Sequence, residues 1–252
     1  MRLLTLARDL TRRKARDREA QFVVEGIRSV EEVFRSPLEI VGVLVAPQLS
    51  ESERGGALRE AMAARGVDVT HVSEREFRSA AETESPQGVL VIARVPRRSL
   101  AGLPETPSMR LLVLDAVQDP GNVGTILRTA AAMGADATVA LPGTVDLWNA
   151  KVVRSAMGAH FHHYAFHASW DELEGFLAER DVALWGADAH GASLGSIPAP
   201  ARLALAVGNE GAGLTPRLRD AASALVSLPI APAVESLNVA VATGILLYEL
   251  RP

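Results

Sequence analysis

Residues 111–128 read Leu-Leu-Val-Leu-Asp-Ala-Val-Gln-Asp-Pro-Gly-Asn-Val-Gly-Thr-Ile-Leu-Arg. The apolar run Leu111–Leu114 is short and continuous, as a strand buried on both faces requires. Helical spacing starts at Val123 and runs to Met133, so a strand passes into a helix through a loop of small and polar residues. The same succession continues, with strands at Ala137–Leu141, Val182–Ala187, Leu203–Val207 and Leu225–Leu228. Helices are predicted at Leu147–Met157, Trp170–Glu179 and Leu237–Leu250. This alternation predicts an α/β fold with a mostly parallel sheet covered on both faces and functional groups in loops beyond the C-terminal strand ends.

Upstream, residues 5–19 read as one charged helix, Gln21–Glu25 as a strand, and Gly26–Arg35 as a helix with Ile27, Val30, Val33 and Phe34 on one side. Strands follow at Ile40–Val45, Val67–Val72 and Val89–Val95, with a helix at Glu53–Arg65 and another starting at Glu74 behind the cap Ser73. Residues 96–108 hold three prolines and no period. The expected division is therefore an α/β domain at 1–98, a linker at 99–109 and a second domain at 110–252. A chain of 252 residues accommodates two such cores. No internal repeat is visible.

The formal net charge of −4 conceals an asymmetry: residues 1–98 carry 17 Lys and Arg against 15 acids, and residues 99–252 carry 9 against 15. Seven of the bases, among them Arg12, Arg13, Lys14 and Arg16, fall in the first 18 residues. That density reads either as a phosphate-binding face or as a solvated helix. The chain has no Cys, which excludes disulfides, thiolate zinc sites and a cysteine nucleophile. No apolar run reaches signal-peptide or membrane-span length, so a cytoplasmic location and no membrane partner are expected.

Three segments end an apolar strand and then place small and polar residues where a fold alone does not need them. They are Leu114–Arg128, Ala206–Pro216 (Ala-Val-Gly-Asn-Glu-Gly-Ala-Gly-Leu-Thr-Pro) and Leu228–Val239 (Leu-Pro-Ile-Ala-Pro-Ala-Val-Glu-Ser-Leu-Asn-Val). Glycines allow close approach of a ligand, and a helix starting directly afterwards offers unpaired N–H groups. None contains G-x-G-x-x-G or G-K-[ST], which disfavours hydride transfer and nucleotide hydrolysis.

In this order, N-x-G-x-x-x-R at Asn122–Arg128, G-N-E-G-x-G at Gly208–Gly213 and E-S-L-N-V at Glu235–Val239 resemble the three motifs of the SpoU (TrmH) family of RNA ribose 2′-O-methyltransferases, within the SPOUT superfamily. Val-Val-Glu-Gly-Ile-Arg near residue 25 resembles the ribosomal-protein-like substrate-binding domain that often precedes it. The resemblance implies a trefoil-knotted catalytic domain, S-adenosylmethionine as cofactor, a homodimer through that domain and an RNA substrate, ribosomal or alternatively transfer RNA. It implies cofactor contacts from Val207, Gly208, Asn209, Gly211, Leu228, Ile230, Ser236, Leu237 and Asn238. It assigns the chemistry to Arg128 and Asn122 with a polar shell of Glu210, Ser236 and Asn238, and puts Arg154 near the RNA entrance; the charge density of Arg12, Arg13, Lys14 and Arg16 makes them the remaining candidate RNA contacts.

Because a guanidinium normally keeps its proton, Arg128 reads either as a base or as a cation positioning phosphate and a developing alkoxide; the second is preferred. Ser236 also reads as the N-cap of the last helix, Glu210 as a cap or ion-pair partner, Asn238 as a loop brace and Arg154 as part of a solvated face. His160, His162, His163 and His167 invite a metal site, but strand-like alternation would split them between two faces, so no metal is expected. Ala240 stands where the family often has Ser. The alternatives to an enzyme acting on RNA are a non-catalytic RNA-binding assembly factor and a methyltransferase for a small molecule or a protein.

Overall fold

The computed structural model describes residues 2–231 and 233–251. It contains two compact units that are not contiguous in sequence. The first runs to Arg97 and includes Trp148–His162; the second comprises Arg98–Leu147 and the chain from His163 onward.

The first unit is built on a mixed sheet of β1 (Gln21–Glu25), β2 (Ile40–Val45), β3 (Val69–His71) and β4 (Val89–Arg94), in the order β1-β4-β2-β3. β4 is antiparallel to both neighbours, with Val23 opposite Ile92 and Val43 opposite Val91, while β2 and β3 are parallel. Leu4, Ala7 and Leu10 cover one face together with Val23, Leu44, Leu90, Ile92 and Phe77. Phe22, next in line and so on the opposite face, meets the Trp148 ring at 4.3 Å and the Phe161 ring at 6.3 Å. The aromatic demand of that face explains why Trp148–His162, placed with the second half on sequence grounds, packs here.

The expected single helix at 5–19 is two, Arg2–Asp9 and Arg13–Glu19. The break arises because Arg16 is buried and its Nη1 donates to the Leu10 and Thr11 carbonyls, both at 2.8 Å. Those carbonyls lie just past the end of the first helix and would otherwise lack a donor. The helix expected from Leu147 begins at Ala150, where Asn149 accepts from the Lys151 N–H at 2.9 Å. The strand-like alternation around His160 is not observed: Ala159–His162 is a helical turn, and strand geometry is confined to Ala165–His167.

The second unit is a six-stranded sheet of β5 (Met109–Asp115), β6 (Ala137–Ala140), β7 (Ala165–His167), β8 (Ala183–Ser193), β9 (Arg202–Gly208) and β10 (Ala224–Ser227), in the order β10-β8-β9-β5-β6-β7. Every pairing is parallel. β8 continues past the expected end at Ala187 because its outer part, through Ala192 and Ser193, pairs with β10 by a shifted register. Polar, exposed residues there carry no hydrophobic signal. One face packs Leu111, Val113, Val139 and Ala204 against Trp170, Leu173, Phe176 and Leu177 of the helix Trp170–Glu179. Leu100 and Leu103 of the expected linker are buried in the same core, so that stretch is anchored. Helices Pro120–Ala132 and Val239–Glu249 pack on each other, Gly244 admitting the Thr129 methyl.

β5 is the first strand of this sheet; the chain runs outward through β6 and β7 on one side, then crosses to β8 on the other and returns inward to β9, beside β5. Asp115 and Gly208, the last residues of β5 and β9, lie opposite each other. That is the topological switch point, where open parallel sheets leave a crevice. No helix among the described residues is long and apolar enough to cross a membrane.

Candidate active site

The loops after β5 and β9 leave the switch point side by side. At the end of β5, the buried Asp115 carboxylate accepts the Thr215 N–H at 2.6 Å, fastening the far end of the second loop. Ala116 follows with φ +58°, a left-handed conformation that turns its carbonyl toward the Asn209 amide, which donates to it at 2.9 Å. Asn209 Oδ1 accepts the N–H groups of Gly211 and Ala212, both at 3.0 Å. Its backbone exchanges two 2.9 Å hydrogen bonds with Gly213. The loop is closed so tightly that a Cβ on Gly208 would sit 2.3–2.4 Å from backbone atoms of Gly213 and Leu214. Only glycine fits there.

Asp119 caps the helix Pro120–Ala132 by accepting the Asn122 N–H at 2.8 Å, and Pro120 occupies its first turn. Glu210 reaches across from the second loop. Its carboxylate accepts the Asp119 N–H at 3.1 Å, the Gln118 N–H at 3.3 Å and the Asn122 Nδ2–H at 3.1 Å. Partial burial alone would raise this carboxyl's pKa, but hydrogen bonds from the Asn122 side chain and nearby backbone N–H groups outweigh it and hold the pKa below the usual glutamate value. Asn238 supplies the third loop: its Nδ2 donates to Asn122 Oδ1 at 3.0 Å, while its own Oδ1 caps the helix Val239–Glu249 through the N–H of Ala240 at 2.9 Å and of Val241 at 3.3 Å.

Asn122, Glu210 and Asn238, separated by 88 and 116 residues from Asn122, thus form one hydrogen-bonded clasp. Arg128 is exposed on the same helix as Asn122, six residues on and therefore about 9 Å further along its axis. Ser236 and Leu237 are exposed, and Ser236 is not the cap of the last helix; Asn238 is, because its amide is fixed from both ends. Thr215 caps the helix Pro216–Ala221, which leaves Glu210 to the clasp. Val207 and Gly208 are buried at the end of β9, Leu228 is half-buried and Ile230 exposed. Asp115, Ala116, Gln118 and Asp119 lie in the first quoted segment, outside the residues its motif names. An acid ending an apolar strand and the Asp-Pro pair were the available signals.

The donor set suits a nucleoside-like cofactor. Within residues 228–237, the described backbone makes one internal hydrogen bond, from the Val234 N–H to the Ala231 carbonyl at 3.0 Å, and Pro232 lies outside the described residues.

Of the residues assigned to RNA, Arg12, Arg13 and Lys14 are exposed, with Arg12 on Asp9 and Arg13 3.7 Å from Asp17. Arg16 does not belong with them, since its buried guanidinium braces the helix break. His163 is buried in the second unit, 2.8 Å from the Thr138 hydroxyl, and burial beside Arg98 pushes its pKa down to about 4. His160 stacks on Trp148 at 4.1 Å in the first unit. No group of three or more metal-ligating side chains occurs among the described residues.

Residues 109–248 match the SpoU rRNA Methylase family and residues 5–91 the MRM3-like substrate binding domain. The chain belongs to the SpoU rRNA methylase family. It is 37% identical over 243 residues to the 23S rRNA (guanosine(2553)-2'-O)-methyltransferase RlmP of Bacillus subtilis, covering 95% of this chain and 92% of that one. It is 36% identical over 210 residues to the 23S rRNA (guanosine-2'-O-)-methyltransferase RlmB of Bordetella pertussis, covering 80% of each. Among solved structures, an AdoMet-bound rRNA methyltransferase from Sinorhizobium meliloti superposes with a TM-score of 0.84 at 30% identity, covering 99% of this chain and 94% of that one.

Proposed function

We propose that this protein transfers a methyl group from S-adenosylmethionine to the 2′-hydroxyl of a ribose in ribosomal RNA. A guanosine of 23S rRNA is the expected target, the nucleotide named for both relatives above. The observation that carries the reading is the clasp of Asn122, Glu210 and Asn238, which ties three loops of the SpoU motifs into one structure at the switch point. The cofactor, when bound, supplies an electrophilic methyl on a sulfonium. Backbone groups of Val207, Gly208, Asn209, Gly211 and Ser236, with the side chains of Leu228, Ile230, Leu237 and Asn238, are assigned to hold it, threaded in the family's trefoil knot. In-line displacement requires the hydroxyl oxygen within about 3–3.5 Å of the carbon it attacks, so rigid loops matter more than any single contact.

Arg128 is assigned to the substrate's phosphate and to the negative charge growing on the ribose oxygen, because a guanidinium offers N–H donors and no acceptor, and the hydroxyl's proton passes to solvent water. Arg12, Arg13 and Lys14 extend the phosphate contacts on the first unit. Val241, Ile245 and Tyr248 form an exposed apolar stripe at i, i+4 and i+7 of the last helix, continued by Leu237, and this stripe is assigned to a homodimer through the catalytic unit. With a bacterial-type 23S rRNA substrate, as in the relatives above, a cytoplasmic location is the expectation. The reading is tested with Arg128→Ala: methyl transfer to 23S rRNA should fall about 100- to 1,000-fold while cofactor affinity stays within about threefold. Equal loss of both would show that Arg128 builds the cofactor site, and a wild-type protein that methylates no rRNA would overturn the whole reading.

A further inference from the structure

The first unit holds a cavity of about 650 Å³ whose lining includes no residue of the three motif loops. It opens where the helices Ile27–Arg35 and Glu53–Ala64 begin, and Gln87 Oε1 accepts the Ile27 N–H at 2.9 Å at its edge. The carboxylates on and beside it are engaged. Glu25 accepts the Glu82 N–H at 2.9 Å and the Thr83 hydroxyl. Glu31 holds Arg54 Nε at 2.9 and 3.2 Å, and Glu32 accepts from Arg35 at 2.6 Å.

Two guanidiniums remain. Arg28 is exposed, its charge acts on Glu31 through space, and its guanidinium makes no hydrogen bond or ion-pair contact among the described residues. Arg154 lines the cavity with its Nη1 buried and lacking any hydrogen-bond partner. Burying a charged donor without a partner is costly, so water or a ligand is needed to complete it. One turn further on, Met157 presents an apolar side chain that is 52% exposed. Free cationic donors beside an exposed apolar side chain match a phosphodiester joined to a base.

We propose that this cavity receives one unpaired nucleotide of the RNA substrate, distant in sequence from the methylated ribose, with its phosphate on Arg154 and Arg28 and its base against Met157. The proposal rests on the RNA-methyltransferase reading for its ligand. It gives Arg154 a place in RNA binding that a solvated helix face does not.

The test uses the full chain, in vitro transcribed 23S rRNA and filter binding across a KCl series. R28Q/R154Q should weaken binding about 10- to 100-fold and lower the slope of log affinity against log salt by about 1.4, two single-strand phosphate contacts at about 0.7 each. R28Q alone changes an exposed side chain and should lower it by about 0.7, which keeps the test decisive if R154Q fails to fold. R65Q, an exposed arginine of the same unit outside the cavity, should leave the slope unchanged. M157A should weaken binding without altering the slope, and wild-type affinity in M157A would overturn the base contact. Unchanged slopes in R28Q and R154Q, or an equal drop in R65Q, would overturn the cavity. Methylation by the wild type together with unchanged variant slopes removes the cavity and keeps the enzyme. Binding with the expected slopes but no methylation removes the enzyme and keeps the cavity.

Discussion

Replacing Glu210 by Gln is the sharpest probe of the clasp. One carboxylate oxygen accepts from the Asp119 N–H and the Asn122 amide, both at 3.1 Å, and the other from the Gln118 N–H at 3.3 Å. An amide keeps an acceptor for the first pair but turns an NH₂ toward the Gln118 donor and removes the charge that strengthens all three bonds. Hydrogen bonds to a charged group contribute about 1.5–3 kcal/mol each when buried, and this carboxylate is largely solvated, so a total of about 1–2 kcal/mol is expected. If the loops must be ordered before the cofactor binds, that corresponds to roughly 5- to 30-fold weaker binding of S-adenosylmethionine in titration calorimetry. Glu210→Gln and Asn122→Ala share a bond, so the double variant should lose less than the sum of the singles by at least about 0.5 kcal/mol. The carboxyl's depressed pKa adds a sign: its contribution is present above the unfolded glutamate value and disappears as pH falls through the lower folded one. Wild-type cofactor affinity in Glu210→Gln, or strict additivity, would show that the loops stand without the clasp.

His163, with its pKa near 4 in the fold, makes stability fall with acidification in the pH window above that of Glu210. Above about pH 6.5 the imidazole is neutral in both states; between 6.5 and 4 the unfolded chain takes up a proton that the fold refuses, removing up to about 3 kcal/mol. Urea unfolding of His163→Asn should show that loss flattened by about one proton, and an identical pH slope would place its origin elsewhere. For the stripe on the last helix, Val241→Asp with Ile245→Asp should convert a dimer into a monomer in light scattering. A monomeric wild-type protein, or a dimer that survives both changes, would remove that helix from the interface.

Much of the second unit was readable because parallel strands buried on both faces announce themselves as continuous apolar runs, and Leu111–Leu114 and Leu203–Val207 lie inside the strands observed. Ser73 was likewise readable as a cap, since its signal is local, and it forms a reciprocal capping box with Glu76. The clasp was legible only as three motifs. Its partners lie about a hundred residues apart, and no local pattern states that Glu210 meets the Gln118 and Asp119 amides. Arg16 was one base among seven, and burial distinguishes it from Arg12 only once the helix has broken. The histidines misled because two-residue alternation over so short a stretch is compatible with a single helical turn. Trp148 was assigned by its neighbours in sequence, whereas the ring contact with Phe22 decides which core it joins.

The excursion of Trp148–His162 bears on how the chain matures during synthesis. Phe22 is made early, but the aromatic lid over it is not complete until Phe161 has left the ribosome. At about 5–20 residues per second, the 65 residues from Arg98 to His162 keep that apolar face uncovered for roughly 3–13 seconds. A nascent chain in that interval is a natural client for a chaperone, and a fragment ending at the proline-rich stretch would carry the same uncovered face permanently.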